Sequence, residues 1–396
     1  MAIRTVRDLD LSGKKVLVRV DFNVPISNGT VSDDTRIRAA LPTIKYILEQ
    51  PETKVILMSH LGRPKGSPDP KYSLAPVAKE LEKLLRRTVI MASDCVGEEV
   101  EKLVADAETG SVILLENTRF HAEETANDES FSKALAKLGD AYVNDAFGSA
   151  HRAHASTEGV ARLLPGAAGF LIEKEVQFFG PLLDNPAKPF VAIIGGAKVS
   201  TKIDVLKTLM PKCTTLIIGG GMSYTFLKAQ GHSIGNSLVE EDYIETARSL
   251  IQQAKDLKVE LLLPLDHMVA DEFSETAAAN EIGSPDVPDG KIAMDIGTKT
   301  IAAMRSAIAG AKSLVWNGPM GVFEFDAFAA GTLETAKMVA ECKGTTVVGG
   351  GDSVAAVNKF SLAGKIDHVS TGGGASLEFL EGKKLPGIAV LERNQE

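Results

Sequence analysis

The sequence of 396 residues has only three cysteines, Cys95, Cys213 and Cys342. They are odd in number, far apart and without a C-x-x-C pair, which excludes a disulfide framework and leaves no zinc-site spacing. Buried or half-buried thiols in a reducing compartment are expected. Long hydrophobic runs are also missing. No stretch approaches the ~18 apolar residues of a membrane span, and the start MAIRTVRDLDLSGKK has neither an apolar h-region nor an Arg/Ser-rich, acid-poor transit pattern. A cytoplasmic protein that engages no membrane is the expectation. Positive charge is in deficit, with 43 Lys plus Arg against 52 Asp plus Glu for a net −9. That balance argues against nucleic acid as a partner, because such binding depends on broad positive potential. An anionic ligand must then be gripped by a local cluster of arginines.

What is present is unevenly placed. Of 36 glycines, twelve lie in residues 1–194 and twenty-four in 195–396, including every Gly-Gly pair. Arginine runs the other way, with eleven of fourteen in the first 194 residues and only Arg248, Arg305 and Arg393 beyond. Single cores stop growing near ~250–300 residues, so this length reads as two domains. Short β-branched runs alternate with amphipathic stretches throughout, the pattern of α/β units around mainly parallel sheets. Strands are predicted at 15–20, 54–58, 89–92, 111–115 and 141–144, then at 190–194, 215–218, 261–263, 292–295, 313–316 and 345–348. Helices are predicted at 35–48 and 74–85, the second with Ser73 as a candidate cap. Between the halves, GFLIEKEVQFFGPLLDNPAKP reads as a connecting helix and a proline-closed linker.

Ligands of parallel α/β sheets collect at the carboxyl ends of strands, and the unusual residues of this chain follow predicted strands. In the first half these are Asp21 and Asn23, His60 and Arg63, Arg119, and His151-Arg152-Ala153-His154, with Arg36 in the first turn of a helix. An isolated arginine is usually a solvated charge, but recurrence at four strand ends points to a pocket for phosphate or carboxylate, which the planar guanidinium fork suits. In the second half the ends carry glycine: Gly195-Gly196, Gly219-Gly220-Gly221, Gly297, Asn317-Gly318, Gly349-Gly350-Gly351-Asp352-Ser353 and Gly372-Gly373-Gly374. Glycine loops that open helices let backbone N–H groups approach a phosphate. If helical, the stretch GGAKVSTK would put Lys198 and Lys202 on one face. Asp352 is placed either as a helix N-cap or as a magnesium ligand. Neither G-x-x-x-x-G-K-[ST] nor G-x-G-x-x-G occurs at these loops, which demotes a Walker-type NTPase and a nicotinamide enzyme.

Arginine-lined strand ends in one half and glycine-lined ends in the other, with VRVDFNVP, SHLGRP, GGAKVSTK, WNGPMGVFE, GGGDS and TGGGAS in order, resemble the phosphoglycerate kinase family over nearly the whole chain. The resemblance implies two Rossmann-like three-layer α/β domains with mainly parallel sheets, joined by a helix and hinge. Their bounds are 1–170 plus a returning tail 381–396 for phosphoglycerate, 171–188 for the interdomain helix and linker, and 189–380 for nucleotide. It implies reversible phosphoryl transfer between 1,3-bisphosphoglycerate and MgADP, giving 3-phosphoglycerate and MgATP, in line after hinge closure and without a covalent enzyme intermediate. By the same resemblance Asp21 and Asn23 hold the glycerate end, His60, Arg63, Arg119 and Arg152 the non-transferring phosphate, and Arg36 the group in flight. Lys198 and the amides of Gly372, Gly373 and Gly374 would also serve the transferring phosphoryl. Gly195, Gly196, Lys202, Gly219, Gly297, Asn317, Glu324 and Gly350 to Ser353 would form the nucleotide site, Glu324 at the ribose and Asp352 directing Mg2+. A monomer is implied. His267 and Ser353 depart from the residues more usual in the family, and Ser353 keeps the hydroxyl.

Overall fold

The structure is a computed structural model that describes residues 3–392, so Arg393 and the last residues of the predicted tail lie outside the described residues. The chain divides into two compact units, Met1–Gln177 with Lys384–Glu396, and Phe178–Lys383. The division falls within the helix Phe170–Asp184.

In the first unit the strands are β1 (Lys15–Arg19), β2 (Ile26–Ser27), β3 (Thr30–Val31), β4 (Lys54–Met58), β5 (Val89–Met91), β6 (Val112–Leu114), β7 (Ala141–Asn144) and β8 (Gly166–Ala168). Six form one parallel sheet in the order β5-β6-β4-β1-β7-β8, while β2 and β3 make a separate hairpin. Residues Val16, Leu17 and Val18 of β1 are wholly buried, as a central parallel strand covered on both faces requires. The predicted helix 35–48 forms as Thr35–Leu48, burying Ile37, Ala40, Ile44 and Ile47 at helical spacing. The second helix is Ala75–Leu85. Ser73 accepts from the Ala75 amide at 3.2 Å but donates its hydroxyl to Glu116 at 2.7 Å, so it ties that helix start to the segment after β6.

The second unit contains β9 (Phe190–Ile194), β10 (Thr215–Ile218), β11 (Glu260–Leu262), β12 (His267–Ala270), β13 (Asn280–Ile282), β14 (Ile292–Ile296), β15 (Ser313–Asn317), β16 (Thr345–Gly349) and β17 (His368–Val369). Its main sheet is parallel in the order β11-β10-β9-β15-β16-β17, with a core around Val191, Ile193, Leu314, Trp316 and Val348. The run at 292–295, read from sequence as one more buried strand, instead joins β12 and β13 in a small antiparallel sheet in the order β13-β12-β14. Apolar content identified a strand there, but pairing partner and direction are long-range properties. Both main sheets change the direction of strand succession beside their first strand, between β1 and β7 and between β9 and β15. Those two crevices are where a parallel sheet offers room for a ligand.

Two polar contacts fix the start of the helix Phe170–Asp184. Asp145, just past β7, accepts from the Leu171 amide at 2.8 Å, and Thr43 accepts from the Phe170 amide at 2.9 Å. A Cβ on Gly169 would lie 2.2 Å from the Asp145 carboxylate, so glycine is needed for this approach. Burial pushes the Asp145 carboxyl up to about 7.

Candidate functional site

At the carboxyl edge of the first sheet, four cationic or imidazole groups converge, Arg19, His60, Arg119 and His154. Arg19, the last residue of β1, is completely buried. Its Nε donates to Ser156 Oγ at 2.8 Å, Nη1 donates to the Val20 carbonyl, and Nη2 lies 3.0 Å from His60 Nδ1. A guanidinium can only donate, so His60 Nδ1 is the acceptor and its proton sits on Nε2. Burial, then Arg19, Arg119, Arg36 and His154, holds the His60 pKa well below the ordinary imidazole value. Arg119 donates to the Gly62 carbonyl at 2.9 Å and its Nε is buried without an acceptor among the described residues. Burial, followed by Arg19 and Arg152, lowers its pKa to about 10. His154 falls to about 4 through burial and then Arg119, Arg19 and Arg152. Buried groups perturbed in this way by burial and by neighbouring charge concentrate at functional sites.

Around this cluster, Asp21 receives Arg36 Nη1 at 2.9 Å and Asn23 Oδ1 receives the Gly62 amide at 2.8 Å. Arg152 donates Nε to His151 Nε2 at 3.1 Å, and Arg63 is exposed in the loop after β4. The sequence reading missed Arg19, Glu124 and Ser156. Glu124, fully buried, accepts from the Ser156 amide at 3.0 Å and hydroxyl at 2.6 Å, so Ser156 joins a carboxylate to Arg19. An arginine at the end of the apolar run KVLVRV was the available signal, because a buried guanidinium must be partnered. Near this edge Asp94, Cys95 and His121 bring metal-type ligand atoms within 4.8 Å, but His121 Nε2 and Asp94 Oδ1 already pair at 2.7 Å.

The depressed His154 gives a signed pH effect. Its native form binds fewer protons than the unfolded chain between about 4 and the ordinary 6.5. Stability from this group is therefore complete above pH 6.5 and lost as pH falls towards 4. We expect His154→Asn to remove about 3 kcal/mol of this acid-side loss, measured by denaturant unfolding at a series of pH values. An unchanged pH slope in the variant would refute the assignment.

In the second unit, a cavity of about 510 Å³ lies over the ends of β9, β10 and β15, walled by Gly196, Gly220, Leu238, Phe273, Met294, Glu324 and Asp352 among others. A smaller one of about 160 Å³ is lined by Lys202, Asn317, Gly350, Gly351, Asp352, Ser353, Gly373 and Gly374. Asp352 lines both. Lys202 donates Nζ to Asn317 Oδ1 at 2.5 Å. Burial lowers its pKa against the opposing pull of Asp352 and Glu381. Ser353 Oγ accepts from the Gly318 amide at 2.5 Å.

Several local expectations change. Residues 196–202 form a turn, not a helix, and Lys202 is the N-cap of Ile203–Leu209, so Lys198 and Lys202 do not share a helical face. Lys198 is exposed and lines neither cavity. Asp352 is not the cap, because Gly350 holds that position with φ 89° and Asp352 stands in the first turn of Gly351–Lys359. Gly195, Gly219, Gly297 and Gly372 also line neither cavity. Gly297 instead makes room for Asp266, which caps the helix Thr298–Ile308 through the Lys299 and Thr300 amides at 2.7 and 2.9 Å.

A cationic pocket in one parallel α/β unit and a glycine-walled cavity with a lysine and a carboxylate in the other define a protein that handles phosphorylated ligands. The family model described as "Phosphoglycerate kinase" matches residues 6–383. The chain is 60% identical over 391 residues to the phosphoglycerate kinase of Moorella thermoacetica, covering 99% of both chains. It is 58% identical over 392 residues to that of Borrelia duttonii, covering 99% of this chain and 100% of the relative. The solved phosphoglycerate kinase of Coxiella burnetii superposes with a TM-score of 0.91 at 44% identity, covering 98% of each chain. The chain belongs to the phosphoglycerate kinase family.

Proposed function

We propose that this protein transfers a phosphoryl group reversibly between 1,3-bisphosphoglycerate and MgADP, giving 3-phosphoglycerate and MgATP. The observation that carries this reading is the cluster of Arg19, His60, Arg119 and His154, in which burial, and after it the neighbouring guanidinium charges, lowers the pKa of His60, Arg119 and His154. It gives an acidic chain a local site for a small polyanion. Arg36, Arg63 and Arg152 extend the positive rim, with Asp21 and Asn23 as the polar ends for a glycerate. The nucleotide belongs to the second unit, its base and ribose in the larger cavity with Glu324 and its phosphates towards Lys202, Asn317, Gly350–Ser353 and the amides near Gly372–Gly374. Lys198 is assigned to the group in flight, and Gly195, Gly219 and Gly297 to the loops that frame the site. Asp352, an exposed carboxylate common to both cavity walls, fits a hard cation that also takes phosphate oxygens and water. Mg2+ bound there would neutralise phosphate charge.

An acyl phosphate is already activated, and the ADP oxygen needs no base. The chain's task is then alignment and charge neutralisation, for which its arginines, lysines and amides suffice without a covalent intermediate. We assign the protein to the cytoplasm as a monomer. Three free cysteines, two of them buried, support a reducing compartment. Among the described residues no helix is long and apolar enough to cross a membrane. The test is a coupled assay of 3-phosphoglycerate and MgATP with glyceraldehyde-3-phosphate dehydrogenase and NADH. Oxidation of NADH dependent on both substrates is the expected result. Binding of both without turnover would make the chain a non-catalytic phosphometabolite-binding protein.

A further inference from the structure

The turn 196–202 follows Gly195, begins at Gly196 and has no helix of its own, so something outside it must set its shape. That tie is a carboxylate forty residues away. Ser200 donates its amide to Glu240 Oε2 at 3.0 Å and its hydroxyl to Oε1 at 2.6 Å. Burial acts to raise the Glu240 pKa, but the Ser200 hydroxyl, the Ser200 and Val199 amides and the Lys198 charge together hold it below the ordinary range. The carboxylate is thus ionised and saturated by one loop. Glu240 is itself anchored, because its amide donates to Thr225 Oγ1 at 3.1 Å on the helix Met222–Gln230. That helix also opens with the Met222 amide on the Gly196 carbonyl at 3.0 Å. Leu238, two residues before Glu240, lines the larger cavity. The loops after β9 and β10 and the segment ending at Glu240 therefore form one hydrogen-bonded frame beside that cavity.

We propose that Glu240 is a positioning residue, holding the 196–202 turn through Ser200 in the shape that presents Lys202 to the nucleotide phosphates, Lys198 to the group in flight and the Gly196 backbone to the larger cavity. This rests on the nucleotide site assigned above. Without the carboxylate the turn has alternatives, and apparent affinity falls in proportion to the fraction of molecules in the competent shape. Carboxylate-to-amide exchange keeps the frame: a Gln oxygen still accepts from the Ser200 amide, and its NH2 can donate to the Ser200 hydroxyl.

The test measures kcat, both KM values and nucleotide affinity by titration for Glu240→Ala, Glu240→Gln, Ser200→Ala and Lys202→Ala in the full chain. Glu240→Ala is expected to raise the nucleotide KM and Kd by about tenfold and lower kcat, with the KM for 3-phosphoglycerate unchanged. Glu240→Gln should restore most of the loss, and in the Glu240→Ala/Ser200→Ala double variant the second change should add little to the first, because the Ser200 hydroxyl bond is one half of the same tie. Unchanged nucleotide KM and Kd in Glu240→Ala overturn the proposal, as does a Gln variant as impaired as Ala. Lys202→Ala separates the two readings. If it too leaves nucleotide affinity intact, the nucleotide site is misplaced; if it alone weakens binding, only the positioning role fails.

Discussion

Arg36→Ala is expected to lower kcat by about 10²-fold or more, the scale on which loss of one transition-state donor is felt, while nucleotide affinity stays nearly unchanged. Arg36 stands at the second position of the helix Thr35–Leu48, where a positive charge opposes the helix dipole. Its ion pair with Asp21 at 2.9 Å leaves the arginine side chain 36% exposed, a geometry that stabilises weakly. Alanine is also the better helix former. The fold therefore gains little from this arginine, and the variant should melt at or near the parent temperature. Retained stability with lost turnover separates a catalytic role from a structural one. Arg36→Lys should fall between the two, because a point charge replaces the bidentate fork. Coupled-assay kinetics with a thermal melt decide the matter, and an unchanged kcat in Arg36→Ala would remove it from the mechanism.

Gly195→Val should abolish nucleotide binding and cost more than about 3 kcal/mol of stability, beyond the usual range of core overpacking. Gly195 follows β9 directly and its amide donates to the Asn317 carbonyl at 2.9 Å. A Cβ there would lie 2.1 Å from the Pro319 carbonyl oxygen and 2.6 Å from that of Gly318. Neither can turn aside as a side chain would, because both are backbone. The contact is reciprocal: a Cβ on Gly318, which has φ +96°, would meet the Gly195 oxygen at 2.1 Å. The two loops at the β9–β15 crevice thus touch main chain to main chain beside the cavity that holds Lys202 and Asn317. Gly364→Ala is the matched control, since its methyl would meet nothing within 4 Å. Denaturant unfolding and nucleotide titration of both variants test the argument, and a Gly195→Val protein of parental stability would refute it.

From sequence these glycines read as donors of N–H groups to phosphate. At Gly350, Gly351, Gly373 and Gly374, which line the small cavity, that reading keeps its basis. At Gly195 and Gly318 the geometry adds another, the close approach of neighbouring loops, and at Gly297 it adds room for Asp266. Sequence cannot distinguish these uses, because each depends on what another segment places against the missing Cβ. The same holds for Lys198 and Lys202. Their spacing suits a helix, but the turn is shaped by Val199, which is fully buried, and by Glu240.

What the amino-acid sequence determined by itself was local or compositional: the alternation of buried runs and amphipathic helices, the strand ends at which arginine and glycine collect, and the motifs shared with the phosphoglycerate kinase family. These follow from neighbours in the chain, since periodicity and capping act within a few residues. Tertiary structure alone decided which groups meet. Arg19 reaches Ser156 across 137 positions and Lys202 reaches Asn317 across 115, and only the packing within each unit brings them within hydrogen-bond range. The physical reason is burial: a guanidinium or carboxylate removed from water must find a partner wherever the fold provides one, and that partner's address is written in the packing.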